Sequence, residues 1–167
     1  MTGDRELVER QLGRRTRAFH RVAARCPFGL PAVTEQLPYT ASGEPFPTTY
    51  YLTCPHLVAA VSRLEAAGGV ERWSDAVAAD PSLAADLAAA TEDQRRVRRE
   101  LAAGRIGRDG GASLGLGIGG SANPGQLKCL HAHVAFGLAR PGYEIADRIL
   151  AELGESPWPS RCCTTAE

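Results

Sequence analysis

The stretch Tyr50-Tyr51-Leu52-Thr53-Cys54-Pro55 marks the point at which the chain changes from strand to helix. Its aromatic and apolar residues favour a short strand over 50–53. Pro55 suits the first position of a helix, because its missing N–H would have no partner there, and Thr53 or Cys54 would be the N-cap. Apolar residues then follow at helical spacing, namely Leu57, Val58, Val61 and Leu64. We therefore expect a sheet before this stretch and helices after it.

The residues upstream of this stretch predict one short helix and a hairpin. Residues 4–12 can form the helix. Residues 18–24 alternate partly between apolar and polar, and residues 30–37 can form the returning strand. Between them, Cys26-Pro27-Phe28-Gly29 has the composition of a turn, since proline fixes φ and glycine permits a positive φ. A cysteine at the tip of such a turn is expected to be exposed.

The residues downstream predict a mostly helical remainder. Helices are expected over 70–79, 82–103 and 143–153, and Asn123-Pro124 has the residue types of an N-cap and first position for one more. Four arginines near the end of the long helix are expected to face solvent: Arg95, Arg96, Arg98 and Arg99.

Nine glycines in residues 104–125 predict a flexible loop or lid. Gly115 to Gly120 match the glycine spacing of dinucleotide-binding loops, but no strand leads into them and no βαβ unit surrounds them. The fold class is therefore α+β, with a small antiparallel sheet in the N-terminal third packed by a mostly helical remainder. We expect a single domain over 1–155 and an extended C-terminal tail over 156–167.

Composition limits the classes of function. The 167 residues carry 19 Lys+Arg and 19 Asp+Glu, so no net positive charge points to nucleic acid. No apolar run approaches the roughly 18 residues that a membrane helix needs, and no signal sequence follows Met1. These features predict a cytoplasmic protein without a membrane anchor. Thiols stay reduced there, so the five cysteines are expected to be ligands, nucleophiles or packing residues rather than disulfides.

The segment Lys128-Cys129-Leu130-His131-Ala132-His133 carries the strongest indication of chemistry. Two further cysteines, Cys26 and Cys54, each precede a proline at a turn or a helix start, where side chains can converge. Soft thiolates select zinc, copper(I) or iron–sulfur clusters. We therefore predict that Cys26, Cys54 and Cys129 bind an iron–sulfur cluster or a zinc ion.

The fourth ligand of such a site has several candidates. Cys129 and His133 are four residues apart and would share a helix face, whereas His131 would point nearly the opposite way. Helical periodicity therefore favours His133 and leaves His131 as a neighbouring or catalytic group. Cys162, Cys163 and His56 remain alternatives.

Three blocks of the sequence together resemble a bacterial family, that of domain of unknown function 501. They are 25–31 (RCPFGLP), 45–55 (PFPTTYYLTCP) and 128–131 (KCLH), and the resemblance covers most of residues 8–155. The family has no established activity. Because the blocks contain Cys26, Cys54, Cys129 and His131, the resemblance favours a shared site with His131 as the fourth ligand. A C-terminal cysteine also resembles the family's chain end, which keeps Cys162 as a candidate.

Three hypotheses of function follow. The first is a metal or iron–sulfur protein with redox or sulfur-handling chemistry. The second is an interaction or regulatory protein with structural cysteines and a protein partner, linked to cell division because the family's genes often lie near one for a septum-formation initiator. The third is a metal-free thiol enzyme in which Cys129 is the nucleophile and a histidine is the base.

Overall fold

The structure is a computed structural model that describes residues 3–163. Within this range the chain forms three strands and six α-helices. The strands are β1 (Phe19–Arg25), β2 (Pro31–Gln36) and β3 (Tyr50–Leu52). The helices are α1 (Asp4–Leu12), α2 (Pro55–Ala66), α3 (Gly69–Ala79), α4 (Pro81–Ala102), α5 (Leu130–Ala139) and α6 (Glu144–Glu152). This confirms the predicted α+β class.

The sheet is antiparallel, with β2 between β1 and β3. Glu35 pairs with Tyr50, and Val33 pairs with Leu52. All six residues of β2 are buried, because α5 packs against β3 and contacts β1 and β2, and α1 also contacts β1 and β2. The sheet and α5 together form the layer on which the other helices pack, and this layer positions the residues of the site.

The hairpin between β1 and β2 places Cys26 differently from the prediction. Cys26 N donates to Leu30 O at 2.9 Å, and Gly29 N donates to Cys26 O at 2.9 Å. This tight turn leaves Phe28 at the exposed tip and places Cys26 in the hydrophobic core with only 8% of its surface exposed. The predicted exposure of Cys26 is therefore wrong, because turn chemistry does not indicate which side of the turn faces the core.

Arg98 is also placed differently from the prediction. It is fully buried, and its guanidinium donates to the carbonyl oxygens of Ser113, Pro47 and Phe46 and to Thr49 Oγ1, each at 3.1 Å. Burial lowers the pKa of Arg98, although electrostatic interactions with Tyr39 and Asp109 oppose this effect. The guanidinium therefore joins α4 to the loop before β3 and to the glycine-rich segment.

The glycine-rich segment lies along α4 and contains two short 3-10 turns, Ala112–Gly115 and Ile118–Gly120. Gln94 Nε2 donates to Gly117 O at 2.6 Å, and Arg95 Nε donates to Gly115 O at 2.8 Å. The segment is therefore attached to the domain by hydrogen bonds, unlike the flexible lid that its composition predicts.

Helix α5 begins later than the sequence indicates. Asn123 Oδ1 accepts from Gly125 N at 3.2 Å, so the asparagine forms a local turn in place of a helix cap. The N-cap of α5 is Cys129, whose φ of −154° and ψ of 147° are extended. The first helical amide, Leu130 N, donates to Glu65 Oε1 of α2 at 2.6 Å. A carboxylate from a different helix therefore fixes where α5 starts.

The C-terminal tail leaves α6 without regular structure. Trp158 and Cys163 pack against the core and are partly buried, so this part of the tail lies on the domain. Residues 164–167 of the predicted tail lie outside the described residues, as do Met1 and Thr2.

Candidate functional site

A cavity of about 610 Å³ lies between the end of α1, strand β3, helix α2 and the start of α5. This volume is in the range of small-molecule sites. Its apolar wall includes Leu12, Leu52, Pro55, Val58 and Ala132. Its polar lining residues are Gln11, Arg14, Thr48, Tyr50, Tyr51, Thr53, Cys129 and His131. Cys129 and His131, both predicted site residues, therefore line one cavity.

Cys129 occupies the N-cap of α5, where its side chain makes no capping hydrogen bond but the nearby backbone amides of Ala132 and His131 lower the pKa of its thiol. Burial raises the pKa of the thiol above its ordinary value near 9, and the charge of Glu65 adds to this rise. The two amides and Lys128 act in the opposite direction but do not cancel the rise. Cys129 is therefore a neutral thiol at neutral pH, with two N–H groups in place to stabilise a thiolate.

His131 is held from helix α2. Its Nδ1 lies 3.1 Å from Glu65 Oε1, and its Nε2 lies 3.2 Å from Ser62 Oγ and 3.2 Å from Val58 O. A carboxylate accepts and does not donate, so Nδ1–H donates to Glu65. In this tautomer Nε2 accepts from the Ser62 hydroxyl, whereas its contact with Val58 O, which can only accept, requires a proton on Nε2.

Two buried polar atoms of the cavity lining have no hydrogen-bond partner within residues 3–163: Thr53 Oγ1 and Gln11 Oε1. Thr53 is 1% exposed. Gln11 Nε2 donates to Pro31 O at 2.8 Å. Because that carbonyl can only accept, the contact fixes the orientation of the Gln11 amide and leaves Oε1 without a hydrogen-bond partner in residues 3–163. An unpaired buried polar atom is costly, so these two atoms indicate a ligand that would pair them.

Cys54 lies at the N-cap of α2, as predicted, with Pro55 in the first turn. It is 2% exposed. Burial raises the pKa of the Cys54 thiol, and electrostatic interactions with Cys163 and Cys26 raise it further. The backbone amides of Leu57 and His56 lower it. The structure therefore brings two predicted ligands, Cys26 and Cys54, together with Cys163.

The argument from helix periodicity that favoured His133 is wrong, because Cys129 precedes the helix and shares no face with it. His133 lies in the core, where its Nδ1 is 2.8 Å from Tyr143 Oη and its Nε2 has no partner among the described residues. Burial lowers its pKa to about 3. His131, the ligand that the three sequence blocks favour, shares the cavity with Cys129.

The remaining predicted candidates lie elsewhere. Cys162 is half-buried in the C-terminal tail, next to the Cys163 that packs against the core. His56 lies in the first turn of α2 and is partly buried.

Sequence reasoning missed several residues of the cavity and its surroundings. Ser62 and Glu65 are three residues apart on α2, a spacing that places them on one helix face. Nothing in that spacing indicates a histidine 66 residues further along the chain. Thr53 and Gln11 carry no motif, and only their unpaired atoms distinguish them.

Within residues 3–163, no group of three or more His, Cys, Asp or Glu side chains is arranged so that it could hold a metal ion. The chemistry of the donors still suits a soft metal. The iron–sulfur or zinc site therefore stays a prediction. A separate search of the described helices finds none that is long and apolar enough to cross a bilayer.

Comparison with known proteins gives one match. The family model described as protein of unknown function (DUF501) matches residues 22–151. No curated protein and no solved structure matches the chain. The matched range includes Cys26, Cys54, Thr53, Cys129 and His131, and it excludes α1 and the C-terminal tail. The match covers most of the sequence, and the chain belongs to the DUF501 family.

Proposed function

We propose that the protein is a thiol enzyme that binds a small molecule in this cavity and attacks it with Cys129 Sγ, with His131 as the proton acceptor. The observation that supports this proposal is that Cys129 and His131 line the same cavity while Glu65 holds the imidazole. A nucleophile, a base and a group that orients the base are the parts that covalent catalysis requires.

The chemical step uses groups already described. Because burial keeps the thiol neutral, a base must remove its proton, and we assign this role to Nε2 of His131 in the tautomer whose Nδ1–H donates to Glu65. The amides of His131 and Ala132 stabilise the thiolate. Sγ then forms a bond to an electrophilic carbon of the substrate, the bond from that carbon to its leaving group breaks, and the leaving group takes the proton from His131.

Ser62 also contacts His131, but the structure favours Cys129 as the nucleophile. Ser62 lies inside α2, where the backbone amides are used by the helix itself. Cys129 lies at a helix start, where the amides of Ala132 and His131 lower the pKa of the thiol, and His131 N also donates to Glu65 Oε1 at 3.4 Å. Ser62 is therefore the donor that holds Nε2 in place. A reducing compartment such as the cytoplasm is part of the proposal, because it keeps Cys129 as a thiol.

Alkylation with iodoacetamide, followed by peptide mass spectrometry, tests the proposal. We expect Cys129 to react faster than the more deeply buried Cys54. His131→Gln should slow the reaction at Cys129 by about tenfold or more, because the base is lost. His56→Gln, on α2 but outside the cavity lining, is the matched control and should leave the rate unchanged. Equal rates in wild type and His131→Gln would contradict the proposal.

A second candidate function is a metal site built on Cys26, Cys54 and Cys163. It is favoured by the place of Cys26 and Cys54 in one hydrophobic cluster against which Cys163 packs, and by the preference of thiolates for zinc and iron–sulfur clusters. The three side chains would have to rearrange to bind a metal, since they do not form such a group in residues 3–163. Metal analysis after anaerobic purification tests it. We expect stoichiometric metal in wild type and in Cys129→Ser and none in Cys54→Ser. Metal lost from both variants would instead support a site shared by Cys54 and Cys129, and metal-free wild-type protein would refute either site.

A further inference from the structure

We infer that the cavity selects a small organic acid. The carboxylate of this acid would bind Arg14, its apolar part would pack against β3 and α2, and it would donate a hydrogen bond to Gln11 or Thr53. This inference rests on the proposed function and names the substrate class of the same site.

The charges of the lining residues support an anionic ligand. Arg14 lines the cavity together with His131, and no Asp or Glu is among the lining residues. Arg14 Nη2 donates to Tyr51 Oη at 3.1 Å, and its guanidinium carbon lies 5.7 Å from the centre of the Tyr51 ring. The side chain is therefore held at the cavity by an aromatic residue.

Arg14 also differs from three other arginines in this region, although Arg15 likewise has no carboxylate partner within residues 3–163. Arg17 pairs with Glu44, Arg21 with Glu35 and Arg25 with Asp4, whereas within residues 3–163 Arg14 has no carboxylate partner. A planar guanidinium with an unpaired edge binds a carboxylate in preference to a neutral group. Among these four arginines, the one that lines the cavity is thus without a carboxylate partner in residues 3–163.

The unpaired atoms add a second requirement. Gln11 Oε1 can only accept a hydrogen bond, so the ligand must donate one to it. Thr53 Oγ1 can accept or donate, and it belongs to a lining residue that is 1% exposed. A hydroxyl or an amide N–H on the acid would meet the requirement of Gln11. A purely hydrocarbon acid would leave both protein atoms unpaired.

The first test compares iodoacetate with iodoacetamide, which share a reacting carbon and differ by a carboxylate against an amide. For each thiol, the measured quantity is the rate of alkylation by iodoacetate divided by the rate with iodoacetamide. We expect this ratio at Cys129 to exceed that of free 2-mercaptoethanol by roughly fivefold, which is the effect of one partly exposed ion pair. Arg14→Gln should reduce the ratio to that of the free thiol. Arg15→Gln, an exposed neighbour that does not line the cavity, is the control and should keep the wild-type ratio.

The second test does not depend on thiol chemistry. Binding of 3-phenyllactate, which has a carboxylate, a hydroxyl and an aromatic ring, is followed by amide NMR shifts in Cys129→Ser, with 3-phenyllactamide as the neutral comparison. We expect shifts at Tyr51 and Thr53 for the acid and several-fold weaker binding of the amide. Combining Cys129→Ser with Arg14→Gln should remove the preference for the acid.

The outcomes separate the two proposals. Fast alkylation that depends on His131 but shows no preference for iodoacetate, together with equal binding of acid and amide, would overturn the inference and leave the thiol enzyme standing. Slow alkylation of Cys129 by both reagents, together with Arg14-dependent binding of phenyllactate, would overturn the thiol enzyme and support the inference. Binding of neither probe would overturn the inference.

Discussion

A methyl group placed on Gly137 would lie 2.2 Å from Cβ of Ala146, so helices α5 and α6 touch at these two residues with no space for a further carbon atom. Gly137 is buried, and Ala146 is fully buried. The contact brings Phe136 and Tyr143 into an edge-to-face pair with ring centres 5.4 Å apart. The close approach of the two helices thus depends on the absence of a side chain at Gly137.

We predict that Gly137→Ala lowers the free energy of unfolding by about 1–3 kcal/mol, because overpacking forces the helices apart. This loss outweighs the gain of up to about 1 kcal/mol that alanine brings to a helix. Urea denaturation measures it. Gly115→Ala is the control, since a Cβ there meets nothing within 4 Å. Adding Ala146→Gly should restore part of the stability, and a double variant no better than the single one would contradict the explanation.

The buried His133 predicts a stability that depends on pH. An unfolded histidine takes a proton near its ordinary pKa of 6.5, whereas burial holds the folded pKa at about 3. Between these values the unfolded state binds more protons, so stability should fall as the pH falls, by up to about 1.4 kcal/mol per pH unit. Denaturation of wild type and His133→Gln between pH 7 and pH 3.5 should show a steeper fall of stability in wild type, because carboxyl groups with lowered pKa values, such as Asp93 and Glu152, add a fall at the acidic end that both proteins share.

Tyr143→Phe is the matched control for His133. It removes the hydrogen bond to Nδ1 but keeps the histidine buried, and burial is the cause of the lowered pKa. The variant should therefore be less stable than wild type and keep the same dependence on pH. Loss of the slope in Tyr143→Phe would show that the hydrogen bond, rather than burial, controls the titration.

The four hydrogen bonds of Arg98 predict a large loss of stability on substitution. Arg98→Met fits an apolar side chain into the same place but leaves four acceptors without their donor, so we expect a loss on the order of 3 kcal/mol. Thermal or urea unfolding measures it. Arg99→Met, at the exposed neighbouring position, should change the free energy of unfolding by less than about 0.5 kcal/mol. Similar losses in both variants would contradict the role assigned to Arg98.

The unpaired hydroxyl of Thr53 predicts an unusual result for a buried substitution. Thr53→Val removes an atom without a partner, so the free energy of unfolding should stay the same or rise by up to about 1 kcal/mol. Thr34→Val is the comparison, because Thr34 Oγ1 accepts from Gln36 Nε2 at 2.7 Å, and it should lose about 1 kcal/mol. A loss of stability in Thr53→Val would show that the hydroxyl has a partner in solution.

The start of α2 could be predicted from the sequence because its signals are local. Cys54 and Pro55 are adjacent, and the N-cap and first-turn preferences act within a few residues. The strands of the hairpin were predictable for the same reason. The start of α5 was not, because its first amide is bound by Glu65, a residue 65 positions earlier that only the tertiary structure brings there.

The candidate site was likewise predictable only in part from the sequence. Cys129 and His131 could be selected by residue type and by the three sequence blocks. Their shared cavity, and the carboxylate that holds His131, depend on how α2 packs against α5. For Arg98, residue type led to a wrong prediction, since an arginine in a run of arginines is normally exposed. Its burial is favourable only because the carbonyl groups of distant loops accept its hydrogen bonds.

The contacts of Arg98 also have a consequence for local opening of the chain. One guanidinium binds the loop at 46–49 and the turn at Ser113, which lie more than 60 residues apart in sequence. Each segment must break its hydrogen bonds to this one buried guanidinium to leave α4, and the loss exposes the charge that also holds the other segment. Amide hydrogens in the two segments should therefore exchange with solvent at a common free energy, as one cooperative unit that spans the sheet side and the helical side of the domain.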